Sequence, residues 1–131
     1  MLFRSPHTTL NELTGGEIKA ILEDIADNLF NADPYLQQGG DMVRVAGLGY
    51  AIAPREKIGH RISDLRLGDK PLDAGKRYKV AGWAPVREGV TGEPVWEVVE
   101  RHLRSAKVVP PLAPSQPRLI GIGRNPGYSS A

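Results

Sequence analysis

The chain has 131 residues, 40% of them apolar and 24% charged, with 17 basic against 15 acidic side chains and a formal net charge of +2. This is the balance of a globular chain long enough to bury a core, and the interspersed signs leave no basic stripe for a nucleic-acid backbone. The lack of cysteine removes disulfides, thiolate catalysis and cysteine metal sites, and no apolar run is long enough to span a bilayer.

Met1 to Ser5 has no apolar signal-peptide core, and residues 1–7 read as a non-native or disordered N-terminus. The first clear element follows Thr14-Gly15-Gly16-Glu17, which has the spacing of a capping box. Ile18, Ile21, Leu22, Ile25 and Leu29 recur at helical spacing and predict a buried stripe. Asn31 and Asp33-Pro34 stop the helix. A polar loop runs from Asp33 to Asp41, and a strand pattern begins at Met42. Val43 and Val45 share one parity and Leu48, Tyr50 and Ile52 the other, with the switch at Gly47 suiting a β-bulge or a close backbone approach.

Arg61 to Leu67 predicts a second strand, Gly68-Asp69-Lys70-Pro71 a turn, and Arg77 to Trp83 a third strand. Three strands joined by short turns predict an antiparallel sheet rather than βαβ units. A second helix starts at Pro94, with Val95, Val98, Val99 and Leu103 as its buried stripe and Glu97, Glu100, Arg101 and Arg104 facing water. From Lys107 the prolines at 110, 111, 114 and 117 predict an extended connector. Arg118 to Ile122 can add one short edge strand, and Asn125-Pro126-Gly127 a closing turn. The expected fold is α+β, an antiparallel or mixed sheet packed with two main helices. Residues 8–106 form the domain and residues 107–131 a Pro-rich C-terminal extension.

His7, His60 and His102 are isolated, and no pair is spaced to put two imidazoles on one helix face. No nucleophile elbow or phosphate-binding glycine loop occurs. No catalytic residue and no metal ligand is therefore assigned. The candidate for binding is Gln37-Gln38-Gly39-Gly40-Asp41-Met42-Val43-Arg44. The two glycines allow close approach of a ligand, and Arg44 can clamp an anionic oxyacid with a fork of donors. The bland alternative is a tight loop entering a strand, with Asp41 and Arg44 as a surface ion pair. Trp83, beside Gly82, can line a cleft or simply pack in the core. Tyr35, beside Pro34, carries the same ambiguity, and an exposed ring there suits a partner contact.

Leu13-Thr14-Gly15-Gly16-Glu17-Ile18-Lys19, followed by Leu22-Glu23-Asp24, resembles the helix that marks the C-terminal domain of the 5'-nucleotidase superfamily. Within that superfamily, Ala26-Asp27-Asn28-Leu29-Phe30, Asp33-Pro34-Tyr35, Gln37 to Val45 and Tyr78 to Ala84 are similar to the Sox-system thiosulfohydrolases, the SoxB family. The similarity runs from about Thr8 to Ala106, and Arg124-Asn125-Pro126-Gly127 fits it too.

The resemblance implies a layered α/β/β/α plan for the complete domain. It also implies an N-terminal metallophosphoesterase-like domain holding two manganese ions in the periplasm, whose Asp-x-His and Asn-His-Glu motifs this chain does not contain. The implied reaction is hydrolysis of a sulfonate, released as sulfate, from the cysteine of a sulfur carrier protein. Gln38, Gly39, Gly40, Asp41, Arg44 and Trp83 would then face the substrate, and Tyr35 and Gln37 the carrier. The chain itself is expected not to catalyse the reaction. Nucleotidases of the superfamily sandwich a base between aromatics, whereas this chain has Asp41-Met42 and Gly82-Trp83-Ala84 at those places. A nucleotidase-type substrate-binding domain and a stand-alone binding module are the alternatives.

Overall fold

The structure is a computed structural model and describes residues 7–82 and 92–124. In chain order its elements are β1 (Thr9–Thr14), α1 (Gly15–Phe30), a single 3-10 turn (Pro34–Leu36), β2 (Leu48–Ile52), β3 (Ile62–Leu67), β4 (Lys70–Pro71), β5 (Arg77–Gly82), α2 (Val95–Ala106) and β6 (Arg118–Leu119). The fold is α+β, as expected. Two compact units divide it, residues 1–14 with 77–113 and residues 15–76 with 114–131.

In the first unit β1 pairs antiparallel with β5, from Thr9 opposite Gly82 to Thr14 opposite Arg77. The β1 strand was not expected. Its inward positions are Thr9, Asn11 and Leu13, so two of the three buried side chains are polar and the period-2 apolar signal is lost. The predicted run Arg77 to Trp83 is a strand as far as Gly82, and Trp83 lies outside the described residues. Its partner is β1 rather than the preceding strands, which corrects the expected single meander.

The helix predicted from Pro94 is present, with Pro94 capping it, but its expected buried stripe is not buried. Val95, Val99 and Leu103 are each at least 39% exposed. Helical periodicity marks one face of α2 as apolar but does not by itself supply a layer to cover it. Its polar side is tied locally by a two-pronged Arg101–Glu93 pair and an Arg104–Glu100 pair.

In the second unit the sheet order is β4-β3-β2-β6, antiparallel except for the parallel β2–β6 pairing. The predicted edge strand thus forms over Arg118–Leu119 only, and the Asn125 turn lies outside the described residues. Leu22 and Ala26 of α1 pack on Tyr50, Ile52 and Ile62, with Ile18, Met42, Val45, Leu48 and Leu65 around them. The buried face of α1 is turned from the predicted stripe toward Ala26 and Glu23, leaving Ile21, Ile25 and Leu29 only half-buried. At the start of α1 the amides of Gly15 and Gly16 donate to the Lys76 and Ala74 carbonyls. A Cβ at Gly15 would collide with the Asp73 carbonyl, so the helix must enter on glycine.

Two expectations for residues 42–52 are corrected. Met42 to Gly47 forms no strand: Met42 and Val45 turn to the core while Val43 stays exposed, a spacing that no pleat provides. The bulge falls not at Gly47 but on β3, where one extra residue is accommodated opposite Gly49–Ala51 and Asp64 takes φ 49°. Gly47, at φ 79°, instead makes the turn into β2.

Candidate functional site

The recognition loop predicted from sequence leaves the C-terminus of α1. A helix end leaves carbonyls without intrahelical partners, and here the loop supplies them. The amides of Gln38 and Gly39 both donate to the Asn28 carbonyl, at 2.9 and 3.2 Å. The Gln37 side-chain amide donates to the Asn31 carbonyl at 2.7 Å. Asp33 caps the 3-10 turn by accepting the Tyr35 amide at 2.9 Å, and its own amide donates to the Asn31 side chain at 2.9 Å. Gln37 is exposed, with its side-chain amide engaged within the loop.

Tyr35 is held at the tip of that turn and is 96% exposed. Gly39 and Gly40 follow at φ 76° and 99°, conformations that exclude most side chains, and nothing lies within 4 Å of where a Cβ would stand. The backbone there is bare to an incoming ligand. Gln38, Asp41 and Arg44 are all exposed. Among the described residues Arg44 has no carboxylate partner, so the alternative of an Asp41–Arg44 ion pair is not realised. The loop thus combines bare backbone with an uncommitted guanidinium, a donor set suited to an oxyanion. Trp83 cannot be placed beside it, since it lies outside the described residues.

Sequence reasoning missed a buried polar cluster between α1 and the start of β3. Glu23, 4% exposed, accepts the amides of Gly59, Arg61 and Ile62 at 2.8, 3.3 and 2.7 Å. Arg61, also 4% exposed, donates to the Asp27 carboxylate at 2.6 Å, the Phe30 carbonyl at 3.1 Å and the Pro54 carbonyl at 3.3 Å. The available signal was Glu23 and Asp27 one turn apart on a helix whose neighbouring positions are apolar, with an arginine at the start of a strand.

The Arg61 guanidinium, and after it the Asn31 amide, holds the Asp27 carboxyl below the usual carboxylate range. A depressed folded-state pKa gives stability that is present above the unfolded pKa and lost as pH falls through the folded value. Asp27→Asn is therefore expected to lower the urea midpoint at neutral pH and to flatten its decline in acid. An acid limb as steep as that of the wild type would show that Asp27 does not carry it.

Among the described residues no group of three or more His, Asp or Glu side chains converges to hold a metal ion. No helix among them is long and apolar enough to cross a membrane.

Residues 2–101 match the family model described as 5'-nucleotidase, C-terminal domain. Among solved structures the chain is similar to the sulfate thiohydrolase SoxB of Thermus thermophilus, with 38% identity and a TM-score of 0.73 over 91% of this chain and 23% of that one. It also shares the fold of a structure described as a 5'-nucleotidase from Staphylococcus aureus, at 13% identity and a TM-score of 0.59 over 86% of this chain and 27% of that one. The chain thus spans about a quarter of the length of either. No curated protein matches it. With the family model covering most of its length, the chain belongs to the 5'-nucleotidase C-terminal domain family.

Proposed function

We propose that this chain is the substrate- and carrier-recognition part of a periplasmic thiosulfohydrolase of the Sox type. In that reaction the terminal sulfonate sulfur of the thiosulfate-derived group on the carrier cysteine gains an oxygen from water and leaves as sulfate, while the sulfur it was bonded to keeps the electron pair, takes up a proton and stays on the carrier. The hydrolytic step belongs to a metallophosphoesterase-like domain with two manganese ions, outside this chain. The observation that carries the reading is the exposed loop itself. It carries Gly39-Gly40, an exposed Tyr35 and an Arg44 that pairs with no carboxylate among the described residues, in a chain 38% identical to a sulfate thiohydrolase.

The roles follow from chemistry. Arg44 faces the negative sulfonate, the backbone at Gly39 and Gly40 admits it closely, and Gln38 and Asp41 sort its orientation. Tyr35 offers a large, two-rotor aromatic surface to the carrier polypeptide.

Calorimetric titration of the chain with a peptide carrying cysteine S-sulfonate tests this. The sulfonated peptide should bind about tenfold or more tighter than its thiol form, the discrimination expected of one charge-assisted contact. Tighter binding of adenosine 5'-monophosphate would favour a nucleotidase-type recognition domain. Equal affinity for the sulfonated and thiol peptides would leave the sulfonate role without support.

A further inference from the structure

The buried cluster and the recognition loop are one hydrogen-bonded string. It starts at Arg61, which grips the C-terminal turn of α1 at two points, the Asp27 carboxylate and the Phe30 carbonyl. The other Asp27 oxygen accepts the Asn31 side-chain amide at 2.9 Å. The Asn31 side-chain oxygen accepts the Asp33 amide, and the Asp33 carboxylate accepts that of Tyr35. The Asn31 main-chain carbonyl receives Gln37. No described side-chain polar atom buried in the molecule lacks a partner.

Such a string has a function beyond stability. A free surface loop must surrender backbone freedom when a ligand orders it, which weakens binding. Here the ordering of residues 33–39 is anchored in the core before any ligand arrives. We infer that Arg61 and Asn31 are positioning residues for the recognition loop: they touch no ligand and raise its affinity by holding the segment from Asp33 to Gly39 in its binding conformation. The inference rests on the reading above that this loop binds the sulfonated carrier.

Asn31 is the better place to test it, since it is half-exposed and outside the core cluster, whereas Arg61 is buried. Asn31→Ala should weaken binding of the cysteine S-sulfonate peptide about tenfold and speed amide exchange at Gln38 and Gly39. Asn31→Asp keeps the acceptor for the Asp33 amide but sets a carboxylate against Asp27, so its loss should be intermediate. Arg61→Lys keeps the charge without the fork and should shift affinity in the same direction.

A double-mutant cycle with Tyr35→Ala separates positioning from a general loss of structure. If Asn31 acts through the loop, its effect shrinks once the Tyr35 ring is gone; if the two losses simply add, the inference is wrong. Wild-type affinity in Asn31→Ala despite faster loop exchange would also overturn it, while leaving the site reading intact. Failure of the wild-type chain to bind the peptide at all would sink the site reading and this one with it.

Discussion

Glu23→Ala is expected to lower the stability of the chain by about 2–5 kcal/mol. Three backbone amides converge on this carboxylate. Gly59 lies on an exposed turn, and water can replace its acceptor. Arg61 and Ile62 are buried, so their amides would be left without a partner, at about 1–3 kcal/mol each. Domains of this size are stable by roughly 5–15 kcal/mol, so much of the margin would go. Glu23→Gln keeps one acceptor oxygen but aims an NH2 at the remaining amides, and should fall between. The check is the urea midpoint at constant m-value. A loss under about 0.5 kcal/mol would mean that the loop from Pro54 to Arg61 finds other acceptors.

Arg44→Ala should behave in the opposite way, leaving stability nearly unchanged and removing recognition. The side chain is exposed and makes no ion pair among the described residues, so its removal should stay within about 0.5 kcal/mol of wild-type stability. Hydrogen bonds to a charged group are worth about 1.5–3 kcal/mol, so affinity for the sulfonated peptide should fall roughly 10- to 100-fold. In an enzyme that joins this chain to a metal-bearing domain of the proposed kind, turnover should drop while metal content stays the same. Arg44→Lys should restore only part of the affinity, since a point charge lacks the two-pronged geometry. Unchanged affinity in Arg44→Ala would remove the arginine from the site, and loss of metal would give it a different role.

The contrast between these residues shows which parts of the molecule were legible in its sequence. Helix α1 was readable because Ile18, Leu22 and their neighbours repeat at helical spacing between a Thr14 start and a Pro34 stop. The turn after β3 was readable from Gly68-Asp69, and Gly68 does take φ 59°, but Lys70–Pro71, read as part of that turn, pairs back on β3 as β4. What local pattern cannot carry is partnership. Nothing near β5 announces that it pairs with β1, more than 60 residues away. Nor does the regular stripe of α2 reveal that it lies open.

The same division holds at the site. The loop was legible because Gly39-Gly40 between polar residues has few other uses, and its exposure follows from that composition. Its support was not, because Glu23 and Arg61 belong to residue types that are almost always outside unless paired. Only the folded chain brings the two segments together, across 38 residues. The strand expected from Met42 failed for a related reason. The glycines at 39, 40 and 47 take left-handed conformations on either side of it, and Met42 and Val45 are drawn to the core one turn apart.

The most direct measurement is an amide chemical-shift titration of the labelled chain with the cysteine S-sulfonate peptide, with the thiol peptide as control. The account predicts shifts clustered at Tyr35 to Arg44, led by the Gly39 and Gly40 amides and the Arg44 side chain, and absent with the thiol form. Shifts clustered away from that loop, or the same pattern with both peptides, would contradict it.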